Sequence, residues 1–540
     1  MKIVQVGGGT SGWMTALAIS KSLPDVELTV IHNDNPIGVG EATFENIKHF
    51  HSFLGIEEKE FMKASDATFK FGIWFDDFLE KGESYCHLFK YGISDNPFQY
   101  QRHYKNIELW RSYLQNTEPL KGIEWSKFMN PYTHFLLKNK IPFGSQLLRQ
   151  DPQYVEENEL MPRPGGHGYH MDAVKYQEFL KSKIKCTIIK STVENVKIGN
   201  DGIEWIIVAD DPENKIKADL FIDCSGFNQV LIKSFGNTWW DFGEYLPNNR
   251  AVVCRTPYTD PENEMCPFVR CTGMDSGWKW TIPLYSRLSH GYVYSDDYIT
   301  PAQAEVELRN YLDRGSKDEV HHVQFKSGVL QKSWVKNCVA LGLSSCFVEP
   351  LESTGIAIFV RQIIDLLKVL EKGFVKRLDK DEWNITNVND SKTIKNFIAH
   401  HFLHTLREDT EYWKDWKYNR TTDRESLPAY KWLKQGCADS HEIAYLSGFN
   451  QSSTFFPPAS FDQLLSSMGA TDHQSKIALR YQNLFEFADQ IYETRHAGQS
   501  NNKKDFDNFL EIKALVDNQI SEKVKLSPNH YDYLKKRIYE

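Results

Sequence analysis

Lys2-Ile3-Val4-Gln5-Val6-Gly7-Gly8-Gly9-Thr10-Ser11-Gly12-Trp13-Met14-Thr15-Ala16-Leu17-Ala18-Ile19 gives an apolar strand, a glycine-rich turn and a stretch of helical character. This is Gly-x-Gly-x-x-Gly in the strand–turn–helix setting that a dinucleotide site requires. Gly7 permits the tight turn, Gly9 lets backbone approach a pyrophosphate, and Gly12 lets helix and strand pack closely. Thr10 and Ser11 stand at the helix start, where free amides and the helix dipole favour phosphate. The expected fold is therefore α/β, with a Rossmann-type dinucleotide site at its N-terminal end.

A second strand is expected at Val26-Glu27-Leu28-Thr29-Val30-Ile31. It ends at His32, where such folds usually place an acid for the ribose hydroxyls. Asn33 or Asp34 is left to substitute, or nucleotide affinity is modest. A later strand, Asp219-Leu220-Phe221-Ile222-Asp223, leads into Cys224-Ser225-Gly226-Phe227. No second glycine-rich nucleotide motif follows.

With 540 residues the chain can bury a large core, and two to four domains are expected. A net charge of -9 argues against a nucleic-acid or anionic-membrane surface. Aromatic residues make up 13% of the chain, which suits a pocket for a planar aromatic ring. The nine cysteines include no Cys-x-x-Cys pair, so reduced thiols in a cytoplasmic protein are expected, with no zinc site. Met1 runs straight into the first strand and no apolar run is long enough to span a membrane, so no signal peptide or anchor is expected.

Three further stretches carry chemistry. Gly277-Trp278-Lys279-Trp280-Thr281-Ile282-Pro283 places two indoles on one face of an extended segment. Ala67-Thr68-Phe69-Lys70-Phe71-Gly72-Ile73-Trp74-Phe75 alternates as a single strand, with Lys70 on the face shared by Thr68, Gly72 and Trp74. Glu349-Pro350-Leu351-Glu352-Ser353-Thr354-Gly355-Ile356 leads into an apolar helix that Ser353 or Thr354 can cap.

Together these motifs resemble the flavin-dependent tryptophan halogenase family. Its signatures are a Trp-x-Trp-x-Ile-Pro string, a Thr-Phe-Lys-x-Gly-Ile stretch and a Glu-Pro-Leu-Glu-Ser-Thr-Gly-Ile loop. The resemblance spans residues 1 to about 415 and implies a flavin-monooxygenase-like module. A core of residues 1–375, with a substrate-side insertion at about 76–165, would be covered by a mainly helical module of residues 376–540.

The resemblance also implies the site. FAD would meet Gly7, Gly9, Thr10, Ser11 and Gly12, then Glu41 and Ala42 in the turn Gly38-Val39-Gly40-Glu41-Ala42-Thr43, and finally Leu343 and Ile356. Reduced FAD, delivered by a separate NAD(P)H-dependent reductase, would with oxygen convert a halide ion to hypohalous acid. Thr354 and Gly355 would hold the halide, and Trp278 and Trp280 would wall the flavin from organic substrate. Lys70 would hydrogen-bond the hypohalous acid or become an N-halo amine. Glu352 would hold Lys70 in place and accept the ring proton. Glu349 is read as a nearby surface or supporting acid.

His87 and Phe89, in Tyr85-Cys86-His87-Leu88-Phe89, resemble the family's His-Pro-Phe box around the indole. The Tyr-Tyr-Glu string that clamps free tryptophan is not found; residues 446–458 stand in its place. An indole-like or phenolic ring is therefore expected as substrate, with the halide undecided among chloride, bromide and iodide. His400 and His404 share an i, i+4 spacing, but no metal is expected for want of a third ligand. An aromatic hydroxylase on the same fold and a silent flavin-binding scaffold are the competing readings.

Overall fold

The computed structural model describes residues 1–33, 40–89, 122–130, 132–142, 166–312, 319–419 and 520–540, with isolated positions between 456 and 518. At its N-terminal end, β1 (Lys2–Val6) is followed by α1 (Thr10–Ser22) and β2 (Glu27–His32). The expected second strand is present one residue further along, pairing Lys2 with Glu27 and Val6 with Ile31. β1 lies centrally in a six-stranded sheet, flanked in parallel by β2 and by Leu220–Asp223, with Thr187–Lys190 beyond β2. Both faces are covered, which is why these strands read as continuous apolar runs.

A seven-stranded sheet carries the tryptophan pair and the strand of His87. Its β-ladder runs through Arg250–Thr256, Leu288–Tyr294, Gly277–Pro283 and Val269–Gly273 to Gly72–Asp76 and Ser84–Leu88. The single strand expected at 67–75 is corrected: it is two strands in two sheets. Thr68–Lys70 joins a three-stranded sheet with Gly168–Asp172 and Gly40–Ala42, whereas Gly72–Asp76 joins the large sheet. The break falls at Phe71, whose N–H donates to Pro267 O at 2.9 Å and whose carbonyl accepts from Phe89 N at 3.0 Å. Gly72 makes the crossing feasible, since a Cβ there would sit 2.5 Å from His87 O. Every residue from Ala67 to Phe75 is buried, so the face carrying Lys70 is not half-exposed.

Beyond these sheets, α2 (Gly355–Leu370) and α3 (Arg377–Leu403) follow with a short turn between them. One continuous cluster of buried side chains joins Trp13 and Phe75 to Ile363, Phe397, Trp413 and Leu534. The helices after residue 375 thus share their core with the sheets. Eight described cysteines are free thiols, and among the described residues no helix is long and apolar enough to cross a membrane.

Candidate active site

At the nucleotide end, Gly7 has φ +116°, and a Cβ there would lie 2.1 Å from Cys224 O. Only glycine allows that backbone and that approach. At Gly12 a Cβ would meet Gly7 O at 2.3 Å, so turn and helix close on each other. Gly9, by contrast, has nothing within 4 Å of the position a Cβ would take, and Gly226 is open in the same way. Thr10 Oγ1 donates to Glu41 Oε1 at 3.3 Å, while Glu41 Oε2 is buried without a partner among the described residues. Burial pushes this carboxyl up to about 7, against the Thr10 bond. Gly342, at φ +64°, brings the turn bearing Leu343 against Ser11: a Cβ would be 2.4 Å from Ser11 Oγ. Open glycines, a helix start and an orphaned Glu41 oxygen leave space and polar groups suited to a dinucleotide at this end. His32 is occupied otherwise, edge-on to Trp13 at 5.0 Å. Asp34, Gly38 and Val39 lie outside the described residues.

Lys70 is fully buried. Its Nζ has no hydrogen-bond partner among the described residues and lies 4.8 Å from the ring centre of Phe89 and 5.4 Å from that of Phe44. Burial pushes the amine down to about 7, although Glu352 and Cys271 pull the other way. No ion pair joins Lys70 to Glu352, so the expectation that Glu352 directly holds the lysine is corrected.

Glu352 is held by histidines instead. Its Oε2 accepts from His87 Nδ1 at 2.8 Å, and its Oε1 lies 2.8 Å from His401 Nε2. Burial alone would raise this carboxyl, but His87 and His401 outweigh it and hold it down at about 2. His87 Nε2 pairs with Ser460 Oγ at 3.0 Å, and His401 Nδ1 with Tyr85 OH at 2.9 Å. His87 therefore serves the carboxylate, in addition to any part in an aromatic box.

Trp278 and Trp280 lie side by side on Gly277–Pro283, ring centres 6.0 Å apart. The Trp280 ring rests over Gly291, where a Cβ would overlap it at 1.9 Å. Trp278 Nε1 donates to Glu349 Oε2 at 3.4 Å, and Asn248 Nδ2 donates to the same oxygen at 2.8 Å. Glu349 is fully buried, so of its two readings, surface or supporting acid, the surface one is corrected. With only an amide and an indole as donors, burial pushes it up to about 7.

After Glu349, Pro350–Glu352 makes a 3-10 turn, Ser353 adopts a left-handed φ of 58°, and α2 begins. Thr354 takes the N-cap position without a side-chain capping bond, contrary to expectation. Its Oγ1 is buried and without a partner among the described residues, and Gly355 faces open space. An unused hydroxyl beside the first amides of a helix suits a small anion.

Residues 2–482 match the family model described as tryptophan halogenase. The chain belongs to the tryptophan halogenase family. It is 32% identical over 489 residues to tryptophan 6-halogenase SttH of Streptomyces toxytricini, covering 87% of this chain and 89% of that one. It is 30% identical over 448 residues to tryptophan 7-halogenase RebH of Lentzea aerocolonigenes, covering 80% and 82%. The solved SttH structure aligns with TM-score 0.78 at 28% identity over 99% of each chain. VirX1 in its apo form aligns with TM-score 0.80 at 28% identity over 100% of this chain and 99% of that one. The likeness thus continues past the limit of about 415 expected from motifs. This tryptophan halogenase family member is an enzyme of a flavin-dependent class.

Sequence motifs missed several members of this site. The i, i+4 spacing drew attention to His400 and His404, which contact each other at 3.2 Å, whereas His401 between them reaches Glu352. Asn248, Tyr85 and Ser460 belong to no motif; only their contacts reveal them. Most of residues 446–458, the stretch that stands in place of the amino-acid clamp, lie outside the described residues.

Proposed function

We propose that the protein halogenates an electron-rich aromatic ring, indole-like or phenolic, through hypohalous acid delivered to Lys70. The observation that carries this reading is Lys70 itself: an amine sealed from water, without a hydrogen-bond partner among the described residues, faced by the Phe44 and Phe89 rings. Bound reduced FAD, supplied by a separate reductase, would provide with oxygen the two-electron oxidation of halide to hypohalous acid. Gly7, Gly9, Thr10, Ser11, Gly12, Glu41, Ala42, Leu343 and Ile356 hold the cofactor in this reading. Thr354 and Gly355 hold the halide.

The Trp278–Trp280 wall keeps the organic ring from the flavin. Near neutral pH Lys70 is partly uncharged, which favours the N-halo route: the amine lone pair attacks halogen, the halogen–oxygen bond breaks, and water leaves with the amine proton. The ring carbon then attacks the halogen, the nitrogen–halogen bond breaks with its electron pair returning to Nζ, and Glu352 accepts the ring proton as the C–H pair returns to the ring; return of that proton to Nζ restores the amine. His87 and Phe89 orient the ring. The core of residues 1–375 supplies this machinery, and residues 376–540 cover the substrate.

Purified protein with FAD, a flavin reductase, NADH and a panel of indoles and phenols, each with chloride, bromide or iodide, tests the reading by mass spectrometry. Halogenated product is expected. Hydroxylated product would replace the proposal with a hydroxylase, and no product with any combination would end it.

A further inference from the structure

We propose that His170 binds hypohalous acid on its way to Lys70, its bare Nε2 accepting the O–H hydrogen so that the halogen end faces the lysine amine, a role that rests on the halogenation proposed above.

Gly168–Asp172 is the middle strand of the three-stranded sheet, between Gly40–Ala42 and Thr68–Lys70. On it His170 stands opposite Ala42 on one side and Thr68 on the other. Ala42 belongs to the turn that holds the flavin in the proposed reading, and Thr68 is two residues from Lys70. His170 therefore lies between the cofactor end and the lysine. Strand period puts Ala42, His170, Thr68 and Lys70 on one face of this sheet. Gly40 shares that face, and a Cβ there would lie 2.9 Å from Ser289 Cβ and 3.3 Å from Ile282 Cγ2. Ile282 in turn shares its face of Gly277–Pro283 with Trp278 and Trp280. The histidine thus looks into the interior that the indole pair bounds.

One hydroxyl fixes the tautomer. Thr68 Oγ1 donates to Pro283 O at 2.6 Å, and a carbonyl can only accept. With its single hydrogen so used, Thr68 Oγ1 accepts from His170 Nδ1, 2.8 Å away. Burial, with the Lys70 charge adding to it, pushes the imidazole well below its usual range, so it is neutral and Nε2 is a bare lone pair. The residue is fully buried, and Nε2 has no partner among the described residues. Lys70 Nζ is unused in the same way, and Lys70 is diagonal to His170 on the antiparallel ladder. Diagonal neighbours stand roughly 7–8 Å apart, close enough for one small molecule to touch both side chains. Hypohalous acid has one hydrogen, on oxygen, and one electrophilic halogen. Once the hydrogen is given to His170 Nε2, the halogen is left for the Lys70 lone pair. The nitrogen–halogen bond forms as the halogen–oxygen bond breaks with its electron pair going to oxygen. That oxygen takes the amine proton and leaves as water.

The test uses the full chain and separates the two ring nitrogens. His170→Asn places an amide donor where Nδ1 stood, keeping the Thr68 bond and removing the inner acceptor. His170→Gln places an amide oxygen where Nε2 stood and gives up the Thr68 bond. With FAD, a flavin reductase, NADH, bromide and indole, His170→Asn should lose product per reduced flavin on the order of tenfold. A diffusible β-diketone scavenger in the same reaction should gain bromine as hypobromous acid escapes, which also shows that the flavin end of the variant still works. His170→Gln should keep more product than His170→Asn. Imidazole 15N shifts of the flavin-free protein, with the His170 signals assigned by their loss in His170→Gln, should show hydrogen on Nδ1 and a bare Nε2 at pH 7. A protonated Nε2, or unchanged product per flavin in His170→Asn, overturns the proposal. So does product kept in His170→Asn and lost in His170→Gln, which marks a structural role through Thr68. If the unsubstituted protein brominates neither indole nor scavenger, the halogenase reading falls and takes this role with it; bromination undisturbed in His170→Asn removes this role alone.

Discussion

The backbone N–H of Phe69 donates to His530 Nε2 at 3.3 Å, across 461 residues of sequence. His530 Nδ1 donates in turn to Met265 O at 3.0 Å, and burial holds the imidazole neutral, down at about 4. The strand that carries Lys70 is thus pinned from the far end of the chain, and Tyr539 adds to it by donating to Ala67 O at 2.8 Å.

His530→Ala leaves the Phe69 N–H and the Met265 carbonyl buried without partners, at a cost of roughly 2 kcal/mol. A lowered Tm is expected, together with a loss of halogenation on the order of tenfold or more from misplacing Lys70. FAD affinity should be unchanged, because the nucleotide residues lie on other strands. Thermal unfolding, flavin titration and turnover measure the three; full activity in the variant would show that the strand needs no such pin.

Lys70→Ala should abolish product while reduced-flavin oxidation continues, since the cofactor residues are untouched. Lys70→Arg should not rescue it, because guanidinium stays charged and cannot form the N-halo species. Product from Lys70→Ala at near the unsubstituted rate would remove the lysine from the mechanism.

The pH dependence follows from the same side chain. An amine brought down to about 7 loses its proton as pH rises through that value, so the reactive neutral form grows with pH. The kcat of halogenation should climb roughly tenfold per unit well below pH 7 and level off above it. Glu352, held at about 2, stays ionised throughout and contributes no limb. A rate that falls on raising pH through 7 would instead identify a charged ammonium that hydrogen-bonds the hypohalous acid.

Gly291→Ala should push the Trp280 ring from its seat, since the new methyl would overlap ring carbons at 1.9 and 2.1 Å. The expected result is less halogenated product per reduced flavin consumed, and more hydrogen peroxide, with the chain still folded. Unchanged coupling would mean that the exact seat of Trp280 does not matter.

Substrate scope is the last expectation. Free tryptophan brings an ammonium and a carboxylate that must be paired inside the pocket, and no Tyr-Tyr-Glu clamp stands at 446–458. Indole, or a substituted indole or phenol, should therefore show higher kcat/KM than L-tryptophan. A clear preference for L-tryptophan with a single regioisomer would mean that other residues after 415 supply the clamp.

The glycine turn, the strand before it and the helix after it were legible because each depends on neighbours within a few residues. The strand Gly277–Pro283 was equally plain, its period-2 pattern placing both indoles on one face. The broken strand at Phe71 was not, because alternation through Lys70 and Gly72 continues unchanged while the hydrogen-bond partners switch from Gly168 to His87 and Leu88. Period reports which face a side chain takes and says nothing of which sheet receives it.

The sequence by itself determined the α/β class, the dinucleotide turn, and the residue types at the lysine, the tryptophan pair and the Glu-Pro-Leu-Glu-Ser-Thr-Gly loop. Only the tertiary structure decided what surrounds them: Lys70 buried against Phe44 and Phe89, Glu352 between His87 and His401, and Glu349 beneath Trp278. The reason is physical. Turns and periodicity arise from local sterics, whereas the charge and aim of a buried carboxylate depend on donors brought in from distant strands and helices. Two buried glutamates three residues apart are driven in opposite directions, Glu349 up by burial and Glu352 down by the nearby His87 and His401.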